Sequence, residues 1–227
     1  MQIKVETRFK TDYDQIWNNV KSVIPELPNN YVEIINRGYD VIDHLFTDGL
    51  LFVGLNPAFK TNPGSSFNNS IDKYPYFKPF PEIYNNCEFN NGFSVLDILA
   101  VRCTAQSTIR DAINKNSEFK GFCQHQFDVF KKMVCEARPK VIVVCNAYAR
   151  QWMQNRDFNN RAFDFYGFDE KIGTYRIKGS NKDDSNLDRT PVLFTSMLTG
   201  QRALDKGSLE RLEWQIKHIS NIDGRRM

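Results

Sequence analysis

The sequence predicts an α/β fold: a three-layer α/β/α sandwich with a central four-stranded, mainly parallel sheet. Four apolar segments have the length of buried strands, and helical patterns lie between them. Strands that are apolar throughout are typical of parallel sheets covered on both faces, and their alternation with helices favours an α/β sandwich. The predicted strands span residues 51–55, 93–101, 139–145 and 191–194.

Apolar residues at helical spacing predict six helices around these strands. The polar residues 1–12 are predicted to be a loose start, and residues 57–92 and 158–190 to be irregular. The first of these irregular segments is rich in Pro, Asn and Gly, and loops of that length are usually functional. The second is expected to hold short strands, with one over residues 174–177, and a polar loop over residues 179–189. The predicted helices span residues 13–23, 29–45, 108–114, 119–137, 146–153 and 208–219.

Composition indicates one ordinary globular domain. The chain has 227 residues, of which 41% are hydrophobic and 25% are charged. We expect a monomer with a single domain over residues 1–227, in which residues 1–47 form an N-terminal helical extension. Because the net charge is only +3, a polyanion would need a local basic face. No apolar run reaches the roughly 18 residues of a membrane span and no signal-peptide core is visible, so we expect a cytoplasmic protein without a membrane partner.

The cysteines and histidines give no sign of a metal site or of a disulfide framework. The five cysteines are odd in number and lack a C-x-x-C pair, and the three histidines are far apart in the sequence. We therefore expect reduced, buried thiols, no metal and no cofactor. The cysteines are Cys87, Cys103, Cys123, Cys135 and Cys145.

The first predicted strand ends abruptly in a segment suited to ligand binding. Pro57 lacks an N–H group and biases Asn56 away from helical backbone angles, while Gly54 permits a close approach to the backbone. The carboxyl ends of the strands are where α/β sheets bind ligands. Asp97 stands out in the second strand, because a carboxylate in an apolar run is costly unless it is paired or lies at a ligand site.

Four short blocks together resemble the uracil-DNA glycosylase superfamily over about residues 48–218. The first is similar to the catalytic Gly-x-Asn-Pro motif of the mismatch-specific and single-strand-selective branches. The last sits where the family has His-Pro-Ser-Pro-Leu-Ser or Asn-Pro-Ser-Gly-Leu-Ser. The blocks are Gly54-Leu55-Asn56-Pro57, Ser65-Ser66-Phe67, the strand and helix start from Pro139 to Ala147, and Phe194-Thr195-Ser196-Met197-Leu198-Thr199.

The resemblance implies a monofunctional glycosylase whose partner is DNA carrying a damaged base, either uracil-like or a deaminated purine. Such an enzyme flips the nucleotide out, positions a water and stabilises the departing base. Asn56 is expected to place the water. The implied base-binding residues are Gly54, Leu55, Pro57, Asp97, Phe194 and a stacking ring, Phe67 or Phe77. The implied DNA-binding residues are Ser65, Ser66, Ser196, Met197, Thr199 and Arg202, with Leu198 as a wedge in the base stack.

Two residues depart from the family pattern. Phe194 stands where the family has a His or Asn that steadies the leaving base, and a Phe ring offers no hydrogen bond. Asp97 stands where the family often has an Asn that reads the base edge. An ionised Asp only accepts hydrogen bonds, so it suits a donor–donor edge, such as a guanine-like amidine, or has to stay protonated to read uracil. Neither a lyase lysine nor an iron–sulfur cysteine set is expected.

Simpler readings stay open. Asn56 would also fit a proline turn, Phe67 lid packing, and Leu198 a place under its own loop. Asp97 would also fit a turn cap or a buried partner of Arg102. A second functional hypothesis is a catalytically weak or inactive relative that only binds nucleic acid or a nucleotide. A third, an unrelated nucleotide-binding α/β protein, is disfavoured because the sequence lacks a Gly-rich phosphate loop.

Overall fold

A computed structural model of the chain describes residues 1–22, 24–59, 75–87, 89–179, 184–200 and 203–224. These residues form seven α-helices and seven β-strands. The strands are β1 (Gln2–Lys4), β2 (His44–Phe46), β3 (Leu50–Gly54), β4 (Phe93–Asp97), β5 (Val141–Val144), β6 (Tyr175–Arg176) and β7 (Pro191–Phe194). The helices are α1 (Val5–Lys21), α2 (Asn29–Asn36), α3 (Pro79–Asn86), α4 (Gln106–Lys115), α5 (Ser117–Ala137), α6 (Ala147–Gln154) and α7 (Lys206–Gly224). Among these helices, none combines the length and hydropathy that a bilayer crossing requires.

Five of the strands form a mixed sheet in the order β4-β3-β5-β7-β6. β3 pairs in parallel with β4 and β5, β5 pairs in parallel with β7, and β6 lies antiparallel beside β7. The α/β class is therefore confirmed and the four predicted strands are the parallel ones, but the prediction of a four-stranded sheet is wrong. The fifth strand, β6, confirms the short strand predicted over residues 174–177, but its pairing with β7 in the central sheet was not predicted.

The second predicted strand is shorter than expected. β4 ends at Asp97, and the next four residues stay buried although they lie outside the strand. Their backbone still bonds to the segment after β3: the amides of Ile98 and Leu99 donate to the carbonyl oxygens of Gly54 (3.1 Å) and Leu55 (2.8 Å). The apolar run to residue 101 therefore marks burial and not the length of the strand.

The N-terminal extension is helical only in part. β1 and β2 pair antiparallel in a separate two-stranded sheet, and α1 begins at Val5, so the prediction of a loose start over residues 1–12 is wrong. Val5, Phe9 and Tyr13 recur every four residues and are buried, which extends the helical stripe into a segment that looks polar as a whole. α2 ends at Asn36, well before residue 45, and Gly38 follows it with φ of +71°.

Both faces of the sheet are covered, because alternate strand residues belong to different hydrophobic clusters. Leu51 and Val53 of β3 belong to one cluster, in which residues of α1, α2, α4, α5 and α6 take part. Leu50 and Phe52 belong to the other cluster, with residues of α3 and α7. This double coverage accounts for a strand that is buried at every position.

A buried guanidinium joins the 158–190 segment to α7. The Arg176 side chain is 10% exposed and lies 2.9 Å from Asp169 and 3.1 Å from Asp223. It also donates to the carbonyl oxygen of Arg189 at 2.8 Å. The bond from Arg176 lowers the pKa of Asp169 below its ordinary value.

Replacing Arg176 with Met tests this connection. We expect the free energy of unfolding to fall by about 3 kcal/mol, because two half-buried carboxylates lose their partner. The loss should shrink as the pH falls below about 4, because protonation of Asp169 removes its part of the interaction. The control is Arg189→Met, whose 69% exposed side chain pairs with Asp188 at 3.9 Å and should cost about 0.5 kcal/mol or less. Equal losses in urea unfolding would contradict this role for Arg176.

Candidate functional site

Four parallel strands end at one edge of the sheet, and the candidate site lies there. β3 ends at Gly54, β4 at Asp97, β5 at Val144 and β7 at Phe194. Asn56 follows β3 by two residues and lies at the same edge. The parallel register thus brings together residues that are far apart in the sequence, at the place where α/β sheets bind ligands.

The side chain of Asn56 is held by backbone carbonyl groups. Its Nδ2 donates to the carbonyl oxygens of Cys103 (2.6 Å) and Pro57 (3.0 Å), with that of Val101 at 3.4 Å. Three facing acceptors fix the amide orientation, because only the nitrogen has hydrogens to donate. The Oδ1 atom is buried and has no hydrogen-bond partner among the described residues. Asn56 therefore presents a fixed, unsatisfied acceptor, which costs about 1–3 kcal/mol unless a ligand or water supplies a donor.

The loop that holds Asn56 is itself fixed from α5. The Gln126 side chain is fully buried, and its Oε1 accepts from the backbone amides of Ala100 (2.9 Å) and Val101 (3.1 Å). The amide of Cys103 donates to the carbonyl oxygen of Pro57 at 2.9 Å. Sequence reasoning missed Gln126, although a single amide among the apolar residues on the buried side of α5 was a signal for it.

Gly54 is required by the position of Asp97. A Cβ atom at residue 54 would overlap Oδ1 of Asp97 and would lie 3.9 Å from the hydroxyl of Tyr76. The φ angle of Gly54 is not positive, so this glycine provides space for a neighbouring side chain and not an unusual backbone conformation. Tyr76 is 40% exposed and was not identified from the sequence.

The surroundings of Asp97 favour its protonated form. Burial, and then the charge of Asp40, raise the pKa of Asp97 to about 7. Among the described residues Asp97 forms no ion pair, so the expected alternative of a pair with Arg102 is not observed. Arg102 instead lies over the ring of Phe59 and donates to the carbonyl oxygen of Arg37 at 3.4 Å.

Several expected site residues are engaged in packing. Phe77 is 7% exposed and belongs to the cluster on the α3 and α7 face, with its ring against Tyr76 and Phe80. Leu198 is 9% exposed in the same cluster, so a wedge role would require its loop to rearrange. Phe194 is half-buried, with the guanidinium of Arg150 over its ring at 4.9 Å.

The remaining expected residues fall into two groups. Ser196 is exposed, whereas Met197 and Thr199 are half-buried in the segment after β7. Phe67 and the three expected DNA contacts Ser65, Ser66 and Arg202 lie outside the described residues.

Two arginines lie beside the carbonyl groups that hold the Asn56 side chain, and neither was identified from the sequence. The guanidinium carbons of Arg37 and Arg102 lie 4.6 Å and 5.3 Å from the centroid of the Phe59 ring. Nη1 of Arg37 is 3.8 Å from Sγ of Cys103, the residue whose carbonyl oxygen holds Asn56. These contacts place two guanidinium groups beside the segments whose carbonyl oxygens hold the Asn56 side chain. Stacking on the Phe59 ring leaves the edge of the Arg37 guanidinium group able to bind an anion.

Within the described ranges, no group of three or more His, Cys, Asp or Glu side chains converges as a metal site. The five cysteines are buried and are not joined by disulfides. Burial raises the pKa values of the Cys123 and Cys145 thiols, which makes these two thiols poor nucleophiles.

No protein-family model matches the chain, and no curated protein matches its sequence. The resemblance to the uracil-DNA glycosylase superfamily therefore depends on the order and spacing of four short sequence blocks alone and stays an expectation.

A double-mutant cycle tests the contact between Gly54 and Asp97. Gly54→Ala should lower the free energy of unfolding by about 1–3 kcal/mol, because the added methyl group overlaps the carboxyl group. In an Asp97→Ala background the same change should cost clearly less. Gly121→Ala in α5 is the control: nothing lies within 4 Å of its added Cβ, and it should be neutral or stabilising. An equal cost of Gly54→Ala in both backgrounds would contradict the contact.

Proposed function

We propose that this protein is a DNA glycosylase that hydrolyses the N-glycosidic bond of a damaged or deaminated base, within a three-layer α/β/α sandwich of the uracil-DNA glycosylase type. The observation that carries the proposal is the buried, unsatisfied Oδ1 of Asn56, whose direction is fixed by three carbonyl groups. This atom belongs to the block that is most similar to a catalytic motif of the family.

The Asn56 side chain can position the water molecule that hydrolysis of the N-glycosidic bond requires. Its Oδ1 accepts a hydrogen bond from a water molecule and directs the water oxygen toward C1′ of the extruded nucleotide. The bond from C1′ to the base breaks, the water oxygen bonds to C1′, and the proton released by the water neutralises the departing base. An amide carries no charge, so it orients the water but stabilises an oxocarbenium-like sugar less than a carboxylate would.

The nucleic acid would approach over the Arg37 side chain. A nucleotide that has left the base stack brings its flanking phosphates to the rim of the site, and guanidinium groups bind phosphate with paired hydrogen bonds. Tyr76 is 40% exposed, and its hydroxyl group lies beside Gly54; this residue is a further candidate for contact with the base.

One observation favours the second hypothesis, a protein that binds nucleic acid without turnover. Phe194 offers no hydrogen bond to a leaving base, and its ring packs against Arg150, Phe165 and Tyr175. Tight, salt-sensitive binding by the wild-type protein without release of any base would support this alternative.

The substitution Asn56→Ala tests the proposed catalytic role. We expect base release from a lesion-containing oligonucleotide to fall at least 100-fold, which is typical of removing one positioned polar group, while affinity for the same DNA stays within about threefold. Asn86→Ala is the matched control: this exposed amide on α3 bonds, among the described residues, only to Glu213, at 2.9 Å, and activity should not change. Thermal unfolding of both variants establishes that they are folded at the assay temperature. Unchanged turnover by Asn56→Ala would remove Asn56 from the mechanism.

The salt dependence of DNA binding tests the proposed phosphate contact of Arg37. Arg37→Gln should weaken binding to DNA of any sequence and reduce the slope of log K against log salt concentration by about 1, the value for one phosphate contact. Arg138→Gln is the control, because Arg138 lies just before β5, at the opposite edge of the sheet, and pairs with Asp48 at 3.5 Å. The same slope for Arg37→Gln and the wild type would exclude a phosphate contact at Arg37.

A further inference from the structure

We propose that Gln106 donates a hydrogen bond to a phosphate oxygen of the DNA bound at the candidate site, and that Asn146 is the positioning residue that orients the Gln106 amide for this contact. The inference deepens the proposed function and rests on it for the class of ligand, a nucleotide within DNA. The contact is measured by binding alone, so its test does not depend on turnover.

The Gln106 side chain lies at the carboxyl edge of the sheet, beside the end of β3. Gln106 is the first residue of α4, in the chain that continues from β4, and Asn146 comes two residues after β5. The sheet order places β3 between β4 and β5, and the amide of Cys145 still donates to the carbonyl oxygen of Val53 at 2.9 Å. The hydrogen bond between Asn146 and Gln106 (3.0 Å) therefore connects the segments that follow the two neighbours of β3, the strand that leads to Asn56.

The Gln106 amide has a fixed orientation because the Asn146 amide has one. Oδ1 of Asn146 accepts from the backbone amides of Tyr148 (2.8 Å) and Ala149 (3.1 Å) at the start of α6. Asn146 is 7% exposed, and its Nδ2 donates to Oε1 of Gln106. Because only the nitrogen of an amide has hydrogens to donate, Gln106 directs its oxygen to Asn146. Both hydrogens of Nε2 are thereby left for another acceptor.

A donor at this place suits the phosphate side of a bound nucleotide. In the proposed complex the base lies toward Gly54 and Asp97, on the β4 side of Asn56. The sugar and its phosphate then lie on the β5 side, where Asn146 and Gln106 are. Side-chain amides are among the usual donors to phosphate oxygens, and such contacts position a nucleic acid without reading its sequence.

Replacing Asn146 with Asp tests the orientation and keeps the helix cap, because Asn and Asp are about equally good N-caps. An ionised carboxylate only accepts hydrogen bonds, so the Gln106 amide should rotate, donate Nε2 to the new carboxylate and turn Oε1 toward the phosphate. In an Asn56→Ala background, which prevents turnover, affinity for a single-stranded oligonucleotide with one uracil should fall about tenfold, the effect of losing a hydrogen bond to a charged group.

Asn116→Asp is the matched control for Asn146→Asp. Asn116 is the N-cap of α5, and its Oδ1 accepts from the amide of Phe119 at 2.8 Å. The substitution adds the same charge at the same kind of helix start, at the far end of α4 from Gln106, and should leave affinity unchanged. Thermal unfolding establishes that both variants are folded. Equal affinities of Asn146→Asp and its parent would overturn the positioning role of Asn146.

A double-mutant cycle separates reorientation of the amide from repulsion between the new carboxylate and DNA. Gln106→Ala should weaken binding about tenfold, and adding Asn146→Asp should change it by less than about twofold. Gln106→Glu keeps the bond from Asn146, leaves the cap untouched and offers no donor, so it should weaken binding at least as much as Gln106→Ala. A further tenfold loss from Asn146→Asp in the Gln106→Ala background would overturn the positioning role, because repulsion alone would then account for it.

A strand with an abasic analogue in place of the uracil nucleotide distinguishes a phosphate contact from a base contact. The analogue keeps the flanking phosphates, so Gln106→Ala should weaken binding to both strands alike. A loss confined to the uracil strand would overturn the phosphate assignment. If the wild type releases no base but the coupling of Gln106 to Asn146 persists in binding, the glycosylase proposal fails and the phosphate contact stands. If base is released and the Gln106 variants bind DNA like their parent, only the phosphate contact fails.

Discussion

The geometry of the candidate site depends on the hydrogen bonds that hold the amide nitrogen of Asn56 against the carbonyl oxygens of Pro57, Val101 and Cys103. These bonds exist because β3 and β4 are parallel neighbours, so the segments after them run side by side beyond the sheet. Gln126 fixes the second of these segments from α5. The direction of the amide oxygen, and with it the proposed chemistry, therefore depends on strand register and helix packing together.

The sequence predicts the parallel part of the sheet well, because buried strands are apolar at every position and hydrophobicity marks them clearly. The same signal predicts a second strand that is longer than β4, because residues 98–101 are buried but lie outside the strand. For β6 the sequence predicts a short strand over residues 174–177, but not its place in the sheet, because pairing with β7 determines that place. In the N-terminal segment, polar residues on the exposed side conceal the helical stripe that begins at Val5.

The sequence predicts those residues of the candidate site that belong to a local motif. Asn56 is identified because Gly-x-Asn-Pro is a short pattern at a strand end. Gln126 lies on α5 and Arg37 directly follows α2, so both reach the site only through tertiary packing. For Asp97 the sequence leaves ionised and protonated forms open, because its neighbours Asp40 and Tyr76 are brought to it only by the fold. The polar groups at this edge of the sheet are thus identified partly from sequence motifs and partly only from contacts in the folded structure.

The central claim is that the site at the ends of β3 and β4 releases a base from DNA by hydrolysis. The most direct measurement is to incubate the wild-type protein with oligonucleotides that carry uracil, hypoxanthine, xanthine or mismatched thymine, and to detect both the free base and alkali-labile breaks. A monofunctional glycosylase should release an intact base from at least one of these strands, with strand breakage only after alkali treatment. Binding to these strands with every base still attached would contradict it.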